Sequence, residues 1–226
     1  MSTNININHY LIGCGGIGAW VAFNLIRQLP ADETLILKDG DILEPHNLDR
    51  QLFPLKTVGM DKPTALQQTL SRYDERHGIE TDPTYLAADS VLVDPRNLFV
   101  GADNNAARRR ALAFADHHGC PCIIGANELI EAEAYYYIPA WKDTKRDPRV
   151  YYPDLLEDKS PDPTHPSCTG EAQESHPQLA LANMQAATYM LWLWYVWENT
   201  RPEIDSDDLL PFKVRANRYG SIQTEK

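Results

Sequence analysis

Hydrophobic and polar positions along the chain form two patterns, short apolar runs and longer stretches with helical spacing. The short runs predict strands, and the periodic stretches predict helices with one buried face. The predicted strands are His9–Ile12, Thr34–Leu37, Tyr85–Leu86, Leu98–Val100 and Cys122–Gly125. The predicted helices are Ile17–Leu29, Pro63 to about His77, Ala106–His117 and Gln178–Trp197. This alternation is typical of an α/β fold, a doubly wound and mostly parallel sheet with helices on both faces.

The pattern changes after the apolar run Ala134–Ile138. Residues 141–177 are rich in proline and charge and show almost no periodicity, which predicts a long, mobile crossover loop before the last helix. We therefore expect residues 1–200 to form one domain that includes this loop. Residues 201–226 are expected to add a C-terminal strand or tail, with Phe212–Ile222 as the candidate strand.

The last predicted helix raises the question of a membrane span. Residues 178–197 carry no formal charge and approach the length that crosses a bilayer. Polar residues such as Asn183 and Gln185 are spread along the segment, and no cluster of lysine or arginine flanks it. These features favour a helix buried in a protein core or a dimer interface over a membrane span.

The charge of the chain limits its partners. Its 226 residues include 21 Lys and Arg against 32 Asp and Glu, a formal net charge of −11. An acidic surface disfavours duplex nucleic acid and anionic membranes, but it allows a locally basic pocket for a small anion. The first residues lack the features of a signal peptide, and the four scattered cysteines suit a reducing compartment, so we expect a cytoplasmic protein without structural zinc.

A glycine cluster lies between the first predicted strand and the first helix. Its members are Gly13, Gly15, Gly16 and Gly18. Glycines at such a turn let the backbone approach phosphate, and the helix N-terminus offers unpaired N–H groups. Asp39 follows the second predicted strand, where a carboxylate can accept a hydrogen bond from a ribose hydroxyl. These residues alone favour an NAD-dependent oxidoreductase.

Further polar residues point to a triphosphate instead. Asn47, Arg50 and Gln51 come after the second predicted strand, and Lys62 opens the next helix. A nucleoside triphosphate carries about four negative charges, and an arginine with a lysine can stabilise them and a departing pyrophosphate. Asp103 follows the strand Leu98–Val100, at the sheet edge where a lone carboxylate can hold Mg²⁺.

Four motifs occur in order between Leu11 and Arg110. They are Gly-x-Gly-Gly-x-Gly, Asp-x-Asp…Asn-Leu-x-Arg-Gln, Gly-x-x-Lys and Asp-Asn-x-x-x-Arg. Together they resemble the superfamily of ThiF, MoeB and the ubiquitin-activating enzymes, and the match continues more weakly at Ala182–Ala186. The resemblance implies a Rossmann-like fold and an ATP-dependent adenylyltransferase that uses Mg²⁺.

The resemblance also implies roles for individual residues. The four glycines would line the ATP loop, Asp39 would bind the ribose and Asp103 would coordinate Mg²⁺. Asp41 and Asn104 would also belong to the cofactor-binding site. The residues implied around the phosphates are Asn47, Arg50, Gln51 and Lys62. Arg50 and Lys62 would also be catalytic, because they stabilise the charge that develops during the reaction. Arg108 is expected to be a structural ion-pair partner.

Cys168 lies in the sequence Pro-Ser-Cys-Thr within the long loop, which resembles the thioester-forming motif of ubiquitin-activating enzymes. An incidental loop cysteine is the plainer alternative. The expected function is ATP-dependent adenylation of the C-terminus of a ubiquitin-like protein, followed by thioester formation on Cys168 and transfer to a downstream carrier cysteine. The alternatives are a sulfur-carrier adenylyltransferase, an NAD-dependent oxidoreductase and a nucleotide-binding scaffold without catalysis. The expected partner ends in glycine, and we expect the chain to form a homodimer.

Overall fold

A computed structural model describes residues 7–75, 78–158, 180–200, 210–219 and 221–226. The described residues form an eight-stranded sheet in the order β3-β2-β1-β4-β5-β6-β7-β8. The strands are β1 (Ile7–Ile12), β2 (Glu33–Lys38), β3 (Gly78–Asp82), β4 (Pro95–Val100), β5 (Cys122–Asn127), β6 (Ala132–Tyr137), β7 (Lys213–Ala216) and β8 (Ile222–Glu225). Strands β1 to β5 are parallel, and β6 to β8 continue the sheet antiparallel. The predicted α/β class and mostly parallel sheet are confirmed.

Helices cover both faces of this sheet. They are α1 (Gly16–Leu25), α2 (Lys62–Leu70), α3 (Asn105–His118), α4 (Pro148–Tyr151), α5 (Asp154–Glu157) and α6 (Ala180–Thr200). The chain moves in one direction from β1 to β2 and in the other from β4 to β5, so right-handed crossovers place α1 and α3 on opposite faces. Helix α6 packs against α1 and over β5 and β6.

The core explains why the central strands appear as continuous apolar runs. Leu98 and Phe99 are neighbours on β4 and point to opposite faces, yet both are fully buried. Trp194 of α6 covers one of these faces, with its ring edge-on to Phe99 at a centroid distance of 5.9 Å. Burial on both faces leaves no polar positions to alternate with the apolar ones.

The third strand differs from the prediction. Tyr85–Leu86 was predicted as a strand, but β3 is Gly78–Asp82 and the two residues lie in the irregular segment that follows. Strand β3 is at the sheet edge and its residues are only partly covered, so it needs few apolar side chains and gives no apolar run. Helices α1 and α2 also end several residues earlier than predicted.

Part of the predicted long loop is ordered structure. Residues 141–158 contain α4 and α5, and Trp141 is buried against Trp197 and Phe212. Arg149 fixes this segment to the domain, because it donates to Asp116 of α3 at 2.7 Å. It also donates to Asp147 of its own segment at 2.8 Å. The rest of the predicted loop, residues 159–179 with Cys168, lies outside the described residues.

The C-terminal segment completes the sheet. Strand β7 pairs with β6, and β8 pairs with β7, so this segment supplies two antiparallel strands where one strand or a tail was predicted. In the described ranges, α6 included, no helix has both the length and the apolar character required to cross a membrane. Many α6 side chains, from Ala182 to Trp197, are instead buried in the protein core.

Candidate functional site

The candidate site is a cleft at the carboxyl ends of β1, β2, β4 and β5, where ligands bind in open α/β sheets. It holds about 790 Å³ of empty space, part of which is open to solvent. Its walls come from the glycine loop after β1, the segment after β2, the first turn of α2, the segment after β4 and the first turns of α6. The topology therefore brings most of the predicted site residues to one place.

The glycine loop is shaped by close backbone packing. Gly13 has φ +88° and its N–H donates to the Lys38 carbonyl at 2.9 Å. A Cβ at Gly13 would lie 2.7 Å from the Ala102 nitrogen, and one at Gly18 would lie 1.9 Å from the Gly13 carbonyl oxygen. Gly13 and Gly18 are required by the contact between loop, helix and neighbouring strand. Gly13, Gly15 and Gly16 line the cleft.

Asn183 of α6 lies directly against this loop. It is fully buried, and its Nδ2 would lie 2.4 Å from a Cβ at Gly16. Asn183 Oδ1 accepts from Asn127 Nδ2 at 3.0 Å, and Asn183 Nδ2 donates to the Arg50 carbonyl at 3.3 Å. This amide therefore ties three walls of the cleft together.

Asp39 is a buried carboxylate at the floor of the cleft. Its Oδ2 accepts from the Cys14 N–H at 2.7 Å and its Oδ1 from the Asp41 N–H at 2.9 Å. Burial, with a smaller effect from the Asp41 charge, raises the pKa of Asp39, although Lys62 opposes the shift. Each carboxylate oxygen retains a lone pair that can accept a ribose hydroxyl.

Lys62 is a buried cation at the first turn of α2, which Asp61 caps by accepting the Thr64 N–H at 2.8 Å. Lys62 Nζ donates to Asp41 Oδ2 at 2.6 Å, and Tyr85 donates its hydroxyl to the other oxygen of Asp41. Burial alone would lower the pKa of Lys62, but the nearby carboxylates outweigh it and the pKa is raised. Lys62 is therefore charged at neutral pH.

Arg50 and Gln51 present unpaired polar groups to the cleft. Among the described residues, the Arg50 guanidinium has no hydrogen-bond or ion-pair partner. The Gln51 side chain lies near Gly15, and its Oε1 is buried without a hydrogen-bond partner in the described structure. The guanidinium of Arg50 is suited to an anionic ligand, and the amide oxygen of Gln51 is suited to a hydrogen-bond donor on the ligand, because buried polar atoms are normally satisfied.

Asp103 and Asn104 form the edge of the cleft after β4. Asp103 is exposed, and Asn104 caps α3 by accepting the Ala107 N–H at 2.7 Å. The described residues contain no cluster of three or more side chains able to hold a metal by themselves. A lone carboxylate fits Mg²⁺ in a nucleotide site, because the ion takes phosphate oxygens and waters as its other ligands.

Three predicted residues that the structure describes do not line the cleft, which are Gly18, Asn47 and Arg108. Asn47 is buried in the 3-10 turn Pro45–Asp49, where its Oδ1 accepts the Glu44 N–H at 3.0 Å. Its carbonyl accepts the N–H groups of Arg50 and Gln51, so Asn47 shapes the turn that presents them. Among the described residues Arg108 donates to the Asn105 amide oxygen at 3.3 Å instead of to a carboxylate.

Sequence reasoning missed several residues that line the cleft. These are Lys38, Tyr85, Leu86, Arg110, Asn127 and Asn183. Lys38 is paired with Asp82 at 2.5 Å and Thr84 at 2.7 Å, and Arg110 donates to the Leu86 carbonyl at 3.0 Å. A sequence signal existed only for Asn183, which lies within the weakly matching segment Ala182–Ala186.

The described cysteines are not candidates for the thioester. Cys14, Cys120 and Cys122 are buried free thiols. Burial raises the pKa of all three, that of Cys120 to about 12, so they remain protonated at neutral pH. The predicted nucleophile Cys168 lies outside the described residues.

Sequence comparison relates the chain to an adenylyltransferase. Over 127 residues it is 29% identical to "Adenylyltransferase and sulfurtransferase MOCS3" of Anopheles gambiae, and the match covers 55% of this chain. The match spans only 27% of that protein, so the chain corresponds to about a quarter of the relative's length.

Solved structures share the fold at low sequence identity. A selenomethionine crystal structure of PaaA has a TM-score of 0.69 at 20% identity and covers 97% of this chain and 72% of its own. E. coli MccB with ATP has a TM-score of 0.69, and MccB with MccA has 0.71, both at 18% identity over 98% of this chain. The chain spans 64% and 63% of these two MccB chains. The family model described as ThiF family matches residues 5–221, and the chain belongs to the ThiF family.

Proposed function

We propose that this chain is an ATP-dependent adenylyltransferase that activates the C-terminal carboxylate of a small carrier protein, ubiquitin-like or sulfur-carrying. The observation that carries the proposal is the cleft that groups a glycine loop, a buried carboxylate at Asp39, a charged Lys62 and an Arg50 with no partner in the part of the chain that the structure describes. Membership of the ThiF family supports it. The relative named as an adenylyltransferase and the MccB structures with ATP and with MccA are consistent with it.

The reaction requires positioning and charge stabilisation more than proton transfer. A carboxylate oxygen of the carrier attacks the α-phosphorus of ATP, an acyl C–O–P bond forms, and the bond to the β-phosphate oxygen breaks to release pyrophosphate. Arg50 and Lys62 stabilise the charge on the phosphates. The N-terminus of α1 contributes backbone N–H groups at Gly15 and Gly16. Asp103 would hold Mg²⁺, which supplies further charge neutralisation when bound.

We further propose that Cys168 accepts the acyl group. Its sulfur attacks the acyl carbon of the adenylate, a C–S bond forms, and AMP leaves. The segment that carries Cys168 is flanked by described residues beside the cleft. Asn105, next to Asn104, donates to Asp158 at 2.9 Å, and α6 begins three residues before Asn183.

The test is exchange of labelled pyrophosphate into ATP, measured with candidate carriers that end in glycine. Exchange that requires the free C-terminus of the carrier supports the proposal. Lys62→Ala is expected to abolish exchange, and Lys56→Ala, an exposed lysine in the turn Leu55–Thr57, is the matched control. Binding of NAD without binding of ATP would indicate an oxidoreductase, and ATP binding without exchange would indicate a non-catalytic scaffold.

The thioester step is tested separately with Cys168→Ala. This variant is expected to retain pyrophosphate exchange but to lose a reducible carrier adduct that mass spectrometry detects on the wild-type chain. A persulfide on Cys168 would assign the protein to sulfur transfer. The absence of any adduct on the wild-type chain would assign it to adenylation alone.

We also propose that the chain forms a homodimer through α6. Helix α6 exposes a stripe of apolar side chains, which are Leu181, Met184, Trp192 and Tyr195. We expect a second copy of the chain to cover this stripe, and Trp192→Glu is expected to shift sedimentation from a dimer to a monomer. A monomeric wild-type chain at micromolar concentration would contradict this expectation.

A further inference from the structure

Tyr85 is a residue of the cleft that neither the motifs nor the proposed reaction assigns. It follows β3 and its ring lies directly against Gly40, where a Cβ would be only 2.5 Å from Tyr85 Cδ2. Its hydroxyl donates to Asp41 Oδ1. The side chain is therefore fixed at two points, at its ring by the backbone of the segment after β2 and at its hydroxyl by a carboxylate.

Asp41 links this hydroxyl to the proposed phosphate-binding lysine. Its second oxygen, Oδ2, accepts from Lys62 Nζ at 2.6 Å, and its backbone carbonyl accepts the Lys62 N–H at 2.9 Å. An ammonium group has three donors, and one of them is used by Asp41. The other two are available to phosphate oxygens as long as Asp41 engages Lys62 through a single oxygen.

We propose that Tyr85 is a positioning residue for Lys62, acting through Asp41. The tyrosine hydroxyl occupies one carboxylate oxygen, so Lys62 contacts only the other and keeps its remaining donors for the triphosphate. Without the hydroxyl, both oxygens of Asp41 are free to attract the ammonium group, which is then held more tightly away from the ligand. This assignment rests on the proposed function, because it assumes that Lys62 binds phosphate.

Loss of the Tyr85 hydroxyl is expected to weaken the binding of phosphate-containing ligands only. Tyr85→Phe keeps the ring on Gly40 and removes one hydrogen bond to a charged group. We expect the Kd of ATP and of inorganic tripolyphosphate to rise about tenfold, because Asp41 then holds the Lys62 ammonium group more tightly away from the phosphates. The Kd of adenosine is expected to stay unchanged. Tyr219→Phe is the matched control, because Tyr219 is 86% exposed.

A double-mutant cycle separates positioning from a general structural role. Kd values are measured by calorimetry for the wild type, Tyr85→Phe, Lys62→Ala and the double variant. If the hydroxyl acts through Lys62, Tyr85→Phe adds no further loss of tripolyphosphate affinity in the Lys62→Ala background. Equal losses in both backgrounds, an equal loss of adenosine affinity, or an unchanged Kd for ATP would each overturn the assignment.

The wild-type chain distinguishes this failure from failure of the proposed function. If the wild type binds ATP and tripolyphosphate but Tyr85→Phe binds them equally well, only the role of Tyr85 is wrong. If the wild type binds neither, the proposed function is wrong and the assignment is overturned with it.

Discussion

Gly16→Ala is a substitution whose effect on stability follows directly from the contact between the glycine loop and α6. Gly16 is the first residue of α1, and in an exposed helix alanine would stabilise the fold by up to about 1 kcal/mol relative to glycine. Here the new Cβ would lie 2.4 Å from Asn183 Nδ2 and 2.7 Å from Asn183 Oδ1. The Asn183 amide must therefore move.

Moving this amide breaks the bonds that hold it. It accepts from Asn127 and donates to the Arg50 carbonyl, and each buried hydrogen bond contributes about 1 kcal/mol. The loss of two such bonds outweighs the gain in helix propensity. We therefore expect Gly16→Ala to reduce the free energy of unfolding by about 1–2 kcal/mol. In an Asn183→Ala background no amide is displaced, so the same substitution is expected to be neutral or stabilising.

Urea unfolding of the four variants measures this coupling, which should be about 2 kcal/mol. Gly15→Ala is the matched control, because a Cβ there would lie 3.6 Å from Gln51, an ordinary contact, and we expect a cost below about 1 kcal/mol. Additive effects of Gly16→Ala and Asn183→Ala, or a Gly16→Ala variant as stable as the wild type, would refute the reasoning.

Three further predictions concern charge and thiols. Arg50→Ala should leave the free energy of unfolding within about 0.5 kcal/mol of the wild type, whereas Lys62→Ala should lower it by about 2 kcal/mol in urea unfolding. Burial alone would raise the pKa of Asp116, but hydrogen bonds led by that from Arg149 lower it below the usual range of an aspartate. The stabilisation by Asp116 is therefore present at neutral pH and is lost as the pH falls below about 4. When the free energy of unfolding is measured from pH 3 to 6, Asp116→Asn should make its decrease at low pH less steep. A thiol reagent at pH 7.5 should label at most one cysteine of the folded chain, and Cys168→Ser should abolish that labelling.

Each of these three predictions has a result that would contradict it. For the cations, equal destabilisation by Arg50→Ala and Lys62→Ala would show that Lys62 is not held by buried carboxylates. If Asp116→Asn leaves the decrease in the free energy of unfolding at low pH unchanged, another group is responsible for the loss of stability in acid. Residual labelling of the folded Cys168→Ser variant would show that one of the three described thiols is reachable.

The fold was predictable where burial leaves a continuous apolar signal. The central strands β1, β4 and β5 are buried on both faces, and their apolar runs predicted them. Edge strand β3, with the sequence Gly-Ile-Glu-Thr-Asp, has little to bury and was missed. The apolar pair Tyr85–Leu86 predicted a strand, but these residues are apolar for another reason. Both side chains line the cleft, and Leu86 is also buried in the core.

The site was predictable only where its residues are close along the chain or belong to a motif. The glycine loop, Asp39, Arg50 and Lys62 follow strands whose carboxyl ends meet in a parallel sheet, so their convergence could be expected. Asn127 and Asn183 are 56 positions apart and meet only because α6 packs over β5. Local sequence periodicity carries no information on such a tertiary contact. The hydrogen bond between Asn127 and Asn183 could therefore not be predicted from the sequence.

The two cations of the cleft differ in how the ligand-free fold accommodates them. A buried charge must be partnered, and Lys62 is held by Asp41 while Asp39 lies close enough to raise its pKa. Removal of Lys62 leaves two carboxylates facing each other in a partly dehydrated cleft. Arg50 is only half-buried, so solvent can satisfy its guanidinium and the fold does not depend on it. A triphosphate would therefore share Lys62 with Asp41 but would meet an Arg50 that has no partner among the described residues. Arg50 is thus the cleaner probe of binding, and Lys62 is a probe of binding and folding together.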